Sequence, residues 1–256
     1  KTVSGDCTIK KGNDSEIKVY LVHTYTDQEF EPVFSEEGNT LIIKEDFKDH
    51  GSHEGSSQWT VTVPGKTTVE FKSASGDLDV EGLNSSLSAE VASGDIQANA
   101  INGAIEVKAA SGDIKIGNSS GEITVKTASG DVEITGAIGT FDVKTASGDI
   151  RATGIELKGA SNFEGVSGEV LVKLAKTSTV DLKVAAVSGD ITLDYNGNPV
   201  QGYFVFKGQK DNIQSDISFD GSQGSEYNPF TEKYFKKGET PKITLKAVSG
   251  DIKFKK

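Results

Sequence analysis

Apolar and polar residues alternate with period two over short stretches, and the alternating block itself returns every 18 residues. The tripeptide Ser-Gly-Asp begins at Ser75, Ser93, Ser111, Ser129 and Ser147. After each Asp comes an apolar residue (Leu78, Ile96, Ile114, Val132, Ile150), and two further on a second (Val80, Ala98, Ile116, Ile134, Ala152). Polar Asp79, Gln97, Lys115, Glu133 and Arg151 lie between them. Later in each repeat the alternation returns: Leu87, Ile105, Ile123 and Phe141 form one apolar column and Ala89, Val107, Val125 and Val143 the next. Such alternation predicts two short strands per repeat, each with one buried face.

No helical period interrupts the strands. Parallel strands that recur without crossover helices pair by coiling, each turn of chain resting on the last at about 4.8 Å. The predicted fold is therefore all-β: a parallel β-solenoid, a single-stranded β-helix of about 18-residue coils, right-handed by the usual preference of parallel connections. The step loosens to 20 residues at Ser167 and 21 at Ser188, and Ser4 and Ser249 start two outlying copies. One solenoid domain is expected over residues 1–256. Wider coils or a cap take residues 1–68, regular coils 69–194, and aromatic-rich wider coils with the C-terminal end 195–256.

The triplet reads first as corner chemistry. Gly reaches backbone conformations closed to other residues, and Ser and Asp side chains accept hydrogen bonds from turn amides. A metal is the rival reading, because stacking brings Asp77, Asp95, Asp113, Asp131 and Asp149 into one ladder, as in calcium-binding β-rolls. The facing half-turns carry Ser86, Ala104, Glu122 and Thr140, which is not a ligand column, so no metal is assigned.

The segment from Tyr195 to Phe235 holds nine of the chain's nineteen aromatic residues. They predict filling for wider coils, with an exposed patch for glycan or peptide as the alternative. Near the other end, His50 and His53 lie with Asp46, Asp49 and Glu54 in a Gly- and Ser-rich stretch that reads as a solvated loop rather than a zinc or nickel site. Cys7 occupies an apolar column and reads as core; as the single cysteine it forms no internal disulfide.

A formal net charge of −11 argues against a phosphate-tracking nucleic-acid binder. No apolar run is long enough to form a membrane-spanning helix. The outward columns mix Asp, Glu, Lys, Gln and Thr, with the carboxylate pairs any acidic solenoid offers but no aromatic sugar platforms between the regular coils, and there is no nucleophile elbow or phosphate loop. No residue is assigned as catalytic, cofactor-binding or metal-ligating, and no cofactor is expected. The chain contains no Met and begins at Lys1, from which removal of an export signal is expected.

Repeated Ser-Gly-Asp-Ile coils, with the strand Trp59-Thr60-Val61-Thr62-Val63-Pro64, resemble the bacterial putative adhesin family, a domain of unknown biochemical function. The resemblance runs from Val3-Ser4-Gly5-Asp6 to Ser249-Gly250-Asp251-Ile252-Lys253 and implies a β-helical fold associated with the bacterial cell envelope. It carries over no catalytic residue. The expected function is a non-enzymatic envelope scaffold that recognises a surface glycan or protein through its extended surface. The alternatives are a carbohydrate-active β-helix enzyme and a structural or sensory envelope protein without an adhesive role.

Overall fold

Ile114 lies in ladder register with Ile96 on one side and Val132 on the other, so the first apolar column stacks as the repeat predicts. This stacking organises the computed structural model of the protein, which describes residues 2–13, 15–26, 28–48, 54–224 and 229–256.

The strands before the regular coils are β1 (Asp6–Lys11), β2 (Lys18–His23), β3 (Phe30–Glu37), β4 (Thr40–Phe47) and β5 (Ser57–Val63). The regular coils comprise β6 (Val69–Ser75), β7 (Leu78–Glu81), β8 (Leu87–Ser93), β9 (Ile96–Asn99), β10 (Ile105–Ser111), β11 (Ile114–Gly117), β12 (Ser120–Ser129) and β13 (Val132–Thr135). They continue through β14 (Ile138–Ser147), β15 (Ile150–Leu157), β16 (Ser161–Ser167), β17 (Val170–Leu174), β18 (Leu182–Ser188) and β19 (Ile191–Asp194). Last come β20 (Gly202–Gln209), β21 (Ile213–Ser215), β22 (Gly221–Gly224), β23 (Phe230–Lys237), β24 (Lys242–Ser249) and β25 (Ile252–Lys255). No α-helix occurs among the described residues.

Even-numbered strands from β6 to β18 stack in parallel as one face, and odd-numbered strands from β7 to β19 as the other. The chain is thus a β-solenoid with two long faces. The bore between them is aliphatic: Ile96, Val107, Ile114, Val125, Ile134 and Val143 are all buried. Their polar neighbours point outward because successive side chains on a strand leave opposite faces.

At both ends, order in space departs from order in sequence. β1 lies between β7 and the later strand β5, parallel to both, and β2 returns antiparallel on the outside of β5. At the far end β24 and β25 sit directly on β18 and β19, while the earlier β20 and β21 lie beyond them. β20 is followed outward by antiparallel β23 and β22. Each chain end is therefore tucked one coil in, under a cap made from an excursion of the chain. Antiparallel caps of this kind interrupt the parallel stack that would otherwise invite further coils.

The outlying triplets consequently join the regular ones. Ser75 donates its amide to the Val3 carbonyl at 2.8 Å, and Ser188 is in register with Ser249. Leu41-Ile42-Ile43, within the 1–68 stretch expected as wider coils or a cap, lies in the antiparallel β3–β4 hairpin.

Candidate functional site

The Ser-Gly-Asp edge is built by a bond between coils. The Asp95 amide donates to Oδ1 of Asp77 (2.8 Å), Asp113 to Asp95 (2.8 Å), Asp131 to Asp113 (2.9 Å) and Asp149 to Asp131 (2.8 Å). Asp6 and Asp77 extend the series at one end, Asp149 and Glu169 at the other, and Asp190 accepts from the Asp251 amide at 2.8 Å. Each carboxylate thus takes up an amide that the backbone ladder leaves free at the corner. Among the described residues no triplet serine accepts from a turn amide; hydroxyls two residues upstream do the local bonding, as Thr127 and Thr145 donate to the Ser129 and Ser147 carbonyls (both 3.0 Å). Like charges about 4.8 Å apart repel by roughly 1 kcal/mol at the dielectric of water. A bond to a charged acceptor, worth about 1.5–3 kcal/mol, offsets this.

Glycine at these corners is required twice over. Gly130 has φ +122°, and a Cβ there would be driven into the Gly112 carbonyl of the adjacent coil. Among the described residues no three His, Cys, Asp or Glu side chains converge as a metal-holding group. His50 and His53, with Asp49, lie outside the described residues.

The outer face of the even-numbered strands offers open relief. Two shallow grooves of about 630 and 540 Å3 run along it, and both reach residues 126–128. One rim is a lysine-rich column that includes Lys72, Lys108, Lys126 and Lys144. The other carries the residue before each triplet, which is Ala in the early coils and Val166, Val187 and Val248 later, 50, 49 and 41% exposed. Lys108 is paired with Glu106 at 2.6 Å and Lys144 with Asp142 at 3.0 Å. The hydrogen bond from Lys108 holds the Glu106 carboxyl below its ordinary range. Lys126 has Thr124 in that neighbouring position and makes no ion pair among the described residues.

The aromatic-rich segment is chiefly core. Tyr195, Phe204, Phe206 and Phe235 are fully buried beside Phe254, with Phe204 and Phe235 stacked at 4.5 Å. They plug the bore where β20 and β23 close it; Tyr203, Phe219 and Tyr234 are half-buried, Phe230 is 40% exposed, and Tyr227 lies outside the described residues. Cys7 is buried as expected, and burial pushes its thiol up to about 12.

One polar cluster went unread in the sequence. Glu45, from the β3–β4 hairpin, is buried and accepts from Trp59 Nε1 (2.8 Å), the Ser57 hydroxyl and the Val3 amide (2.6 Å). It clamps the hairpin and the chain start onto β5. No local pattern marks it, since its partners lie 12 to 42 residues away.

No functionally curated protein matches the chain. Two solved structures align with 99% of it and cover 89% of their own chains. One is described as a putative adhesin from Bacteroides fragilis NCTC 9343, at 14% identity and a TM-score of 0.44. The other is described as a putative cell adhesion protein from Clostridium sporogenes ATCC 15579, at 10% identity and a TM-score of 0.23. The Toastrack DUF4097 family model matches residues 1–218, with the regular coils of residues 69–194 inside the match, and the chain belongs to that family.

Proposed function

We propose that the protein is a non-enzymatic binding scaffold of the bacterial cell envelope, exported and adhesin-like, which holds a surface glycan or protein along the grooved outer face of its even-numbered strands. The observation that carries this reading is the face itself: an in-register series of lysine and small apolar columns on a rigid ladder. A surface held by backbone hydrogen bonds loses little freedom when a partner docks, which favours recognition over a long contact. The names given to the two aligned structures agree with an adhesive role, and the acidic overall charge speaks against nucleic acid as partner.

The test is an array of glycans and matrix proteins probed with the purified protein, followed by Val187→Asp and Lys126→Glu on any hit. Saturable binding lost in both variants supports the reading. No binding across the array, or binding indifferent to both variants, overturns it in favour of an envelope role without adhesion.

A further inference from the structure

The two faces of the solenoid end unevenly at the chain start. Beyond β7 the odd-numbered face continues with β1, β5 and β2, whereas among the described residues no strand follows β6 on the even-numbered face. Among the described residues only Thr2 and Val3 reach along the outer edge of β6. Thr2 bridges Ser73 in parallel, and its amide donates to the Lys72 carbonyl at 2.9 Å. Backbone groups of alternate residues point to the same side of a strand. The Glu70 amide and carbonyl and the Lys72 amide therefore face this edge, where they have no hydrogen-bond partner among the described residues. The edge overlooks a cleft of about 140 Å3, lined by apolar Cys7, Ile9, Leu41, Ile43, Val61 and Val63, with Val69 and Phe71 at its lip. That volume is about what a large apolar side chain fills.

The repeat shows which residues fit such an edge. Lys1-Thr2-Val3-Ser4-Gly5-Asp6 matches Lys126-Thr127-Ala128-Ser129-Gly130-Asp131 column for column, and in that coil buried Ile123 and Val125 come just before. We propose that the open edge of β6 is a strand-acceptor site whose occupant is an extended segment joined to the amino end of Lys1. Continuity fixes the choice of occupant: a chain entering Thr2 in the register of the Thr2–Ser73 bridge runs parallel along Lys72, Phe71 and Glu70. The residue joined to Lys1 then lies beside Phe71, and the one two places earlier beside Val69. Both are apolar and enter the cleft, while the backbone between them takes up the free groups of Glu70 and Lys72. This is strand addition at a sheet edge, with hydrogen bonds giving affinity and alternate side chains giving selectivity.

The test appends Ile-Thr-Val, copied from Ile123–Val125, ahead of Lys1, with Lys-Thr-Glu as the control. Hydrogen exchange at the Lys72 amide should slow by roughly tenfold in the first version, with a rise in Tm, and stay unchanged in the second. Equal protection by both appendages, or by neither, overturns the proposal. Equal protection by the free Ile-Thr-Val peptide at millimolar concentration also overturns it, since the occupant would then be a separate polypeptide. Array binding plays no part in this readout, so the functional reading and the acceptor site fail independently.

Discussion

Replacing Gly130 by Ala isolates the contact that sets the spacing between coils. At φ +122° an L-residue is strained by about 1–3 kcal/mol. The new Cβ also presses on the Gly112 carbonyl, and relief requires the two coils to part at their corner. Parting stretches the Ile114 amide bond to the Asp131 carbonyl (2.8 Å) and the Asp131 amide bond to Asp113 (2.9 Å). Overpacking of this kind adds about 1–3 kcal/mol, for a total of about 2–6 kcal/mol. In a chain of this size the total corresponds to a Tm lower by roughly 5–20 °C. Gly197→Ala supplies the control, because its φ of +76° is also positive but a Cβ there meets nothing within 4 Å. That variant should lose only about 1–2 kcal/mol. Urea unfolding followed by Trp59 fluorescence, and thermal unfolding by circular dichroism, compare the two. If Gly130→Ala is no more destabilised than Gly197→Ala, coil-to-coil contact does not dictate glycine at the corner.

Three further outcomes follow from the same edge and core. Glu169 stands where other coils have Asp and accepts no bond from the Asp190 amide, so Glu169→Asp should add about 0.5–1.5 kcal/mol in denaturant titrations; a loss of stability contradicts the amide-capping role. Millimolar calcium should leave Tm nearly unchanged, since one oxygen of each ladder Asp already serves a backbone amide; a large saturable rise would restore the metal reading. Burial keeps the Cys7 thiol protonated to about pH 12 in the folded state, while the unfolded thiol ionises from its ordinary 9.0. Its contribution is complete below pH 9 and declines by about 1.4 kcal/mol per pH unit from there towards 12. Stability against pH, compared with Cys7→Val, should show that slope in the native protein alone; parallel curves exclude it.

The coil interior was legible because each of its residues repeats a column. Val69 and Phe71 stack on Leu87 and Ala89, and Ile243 and Leu245 on Leu182 and Val184, as their alternation predicts. The end arrangement was not legible, because periodicity reports which face a residue occupies but not which strand lies beside it. Trp59–Val63 reads as a strand on any reckoning; that it lies outside β1 is decided by the length of the 12–56 excursion and by Glu45 holding the hairpin in place. The corner was half legible. Glycine and aspartate are explained by turn chemistry alone, whereas the reach of each Asp into the adjacent coil depends on stacking that no single repeat contains. The grooved face was hidden for a different reason: its exposed Ala and Val column occupies outward positions, where apolar–polar alternation predicts polar residues.

Tucking both ends one coil inward changes how the molecule meets mechanical load. Tension applied to either end does not peel a border strand one bond at a time. It drags β1, or β24 with β25, lengthwise between neighbours on both sides, so that many bonds must rupture together. Single-molecule pulling from the two ends should therefore give a higher rupture force than pulling on the border strand β2 or β22.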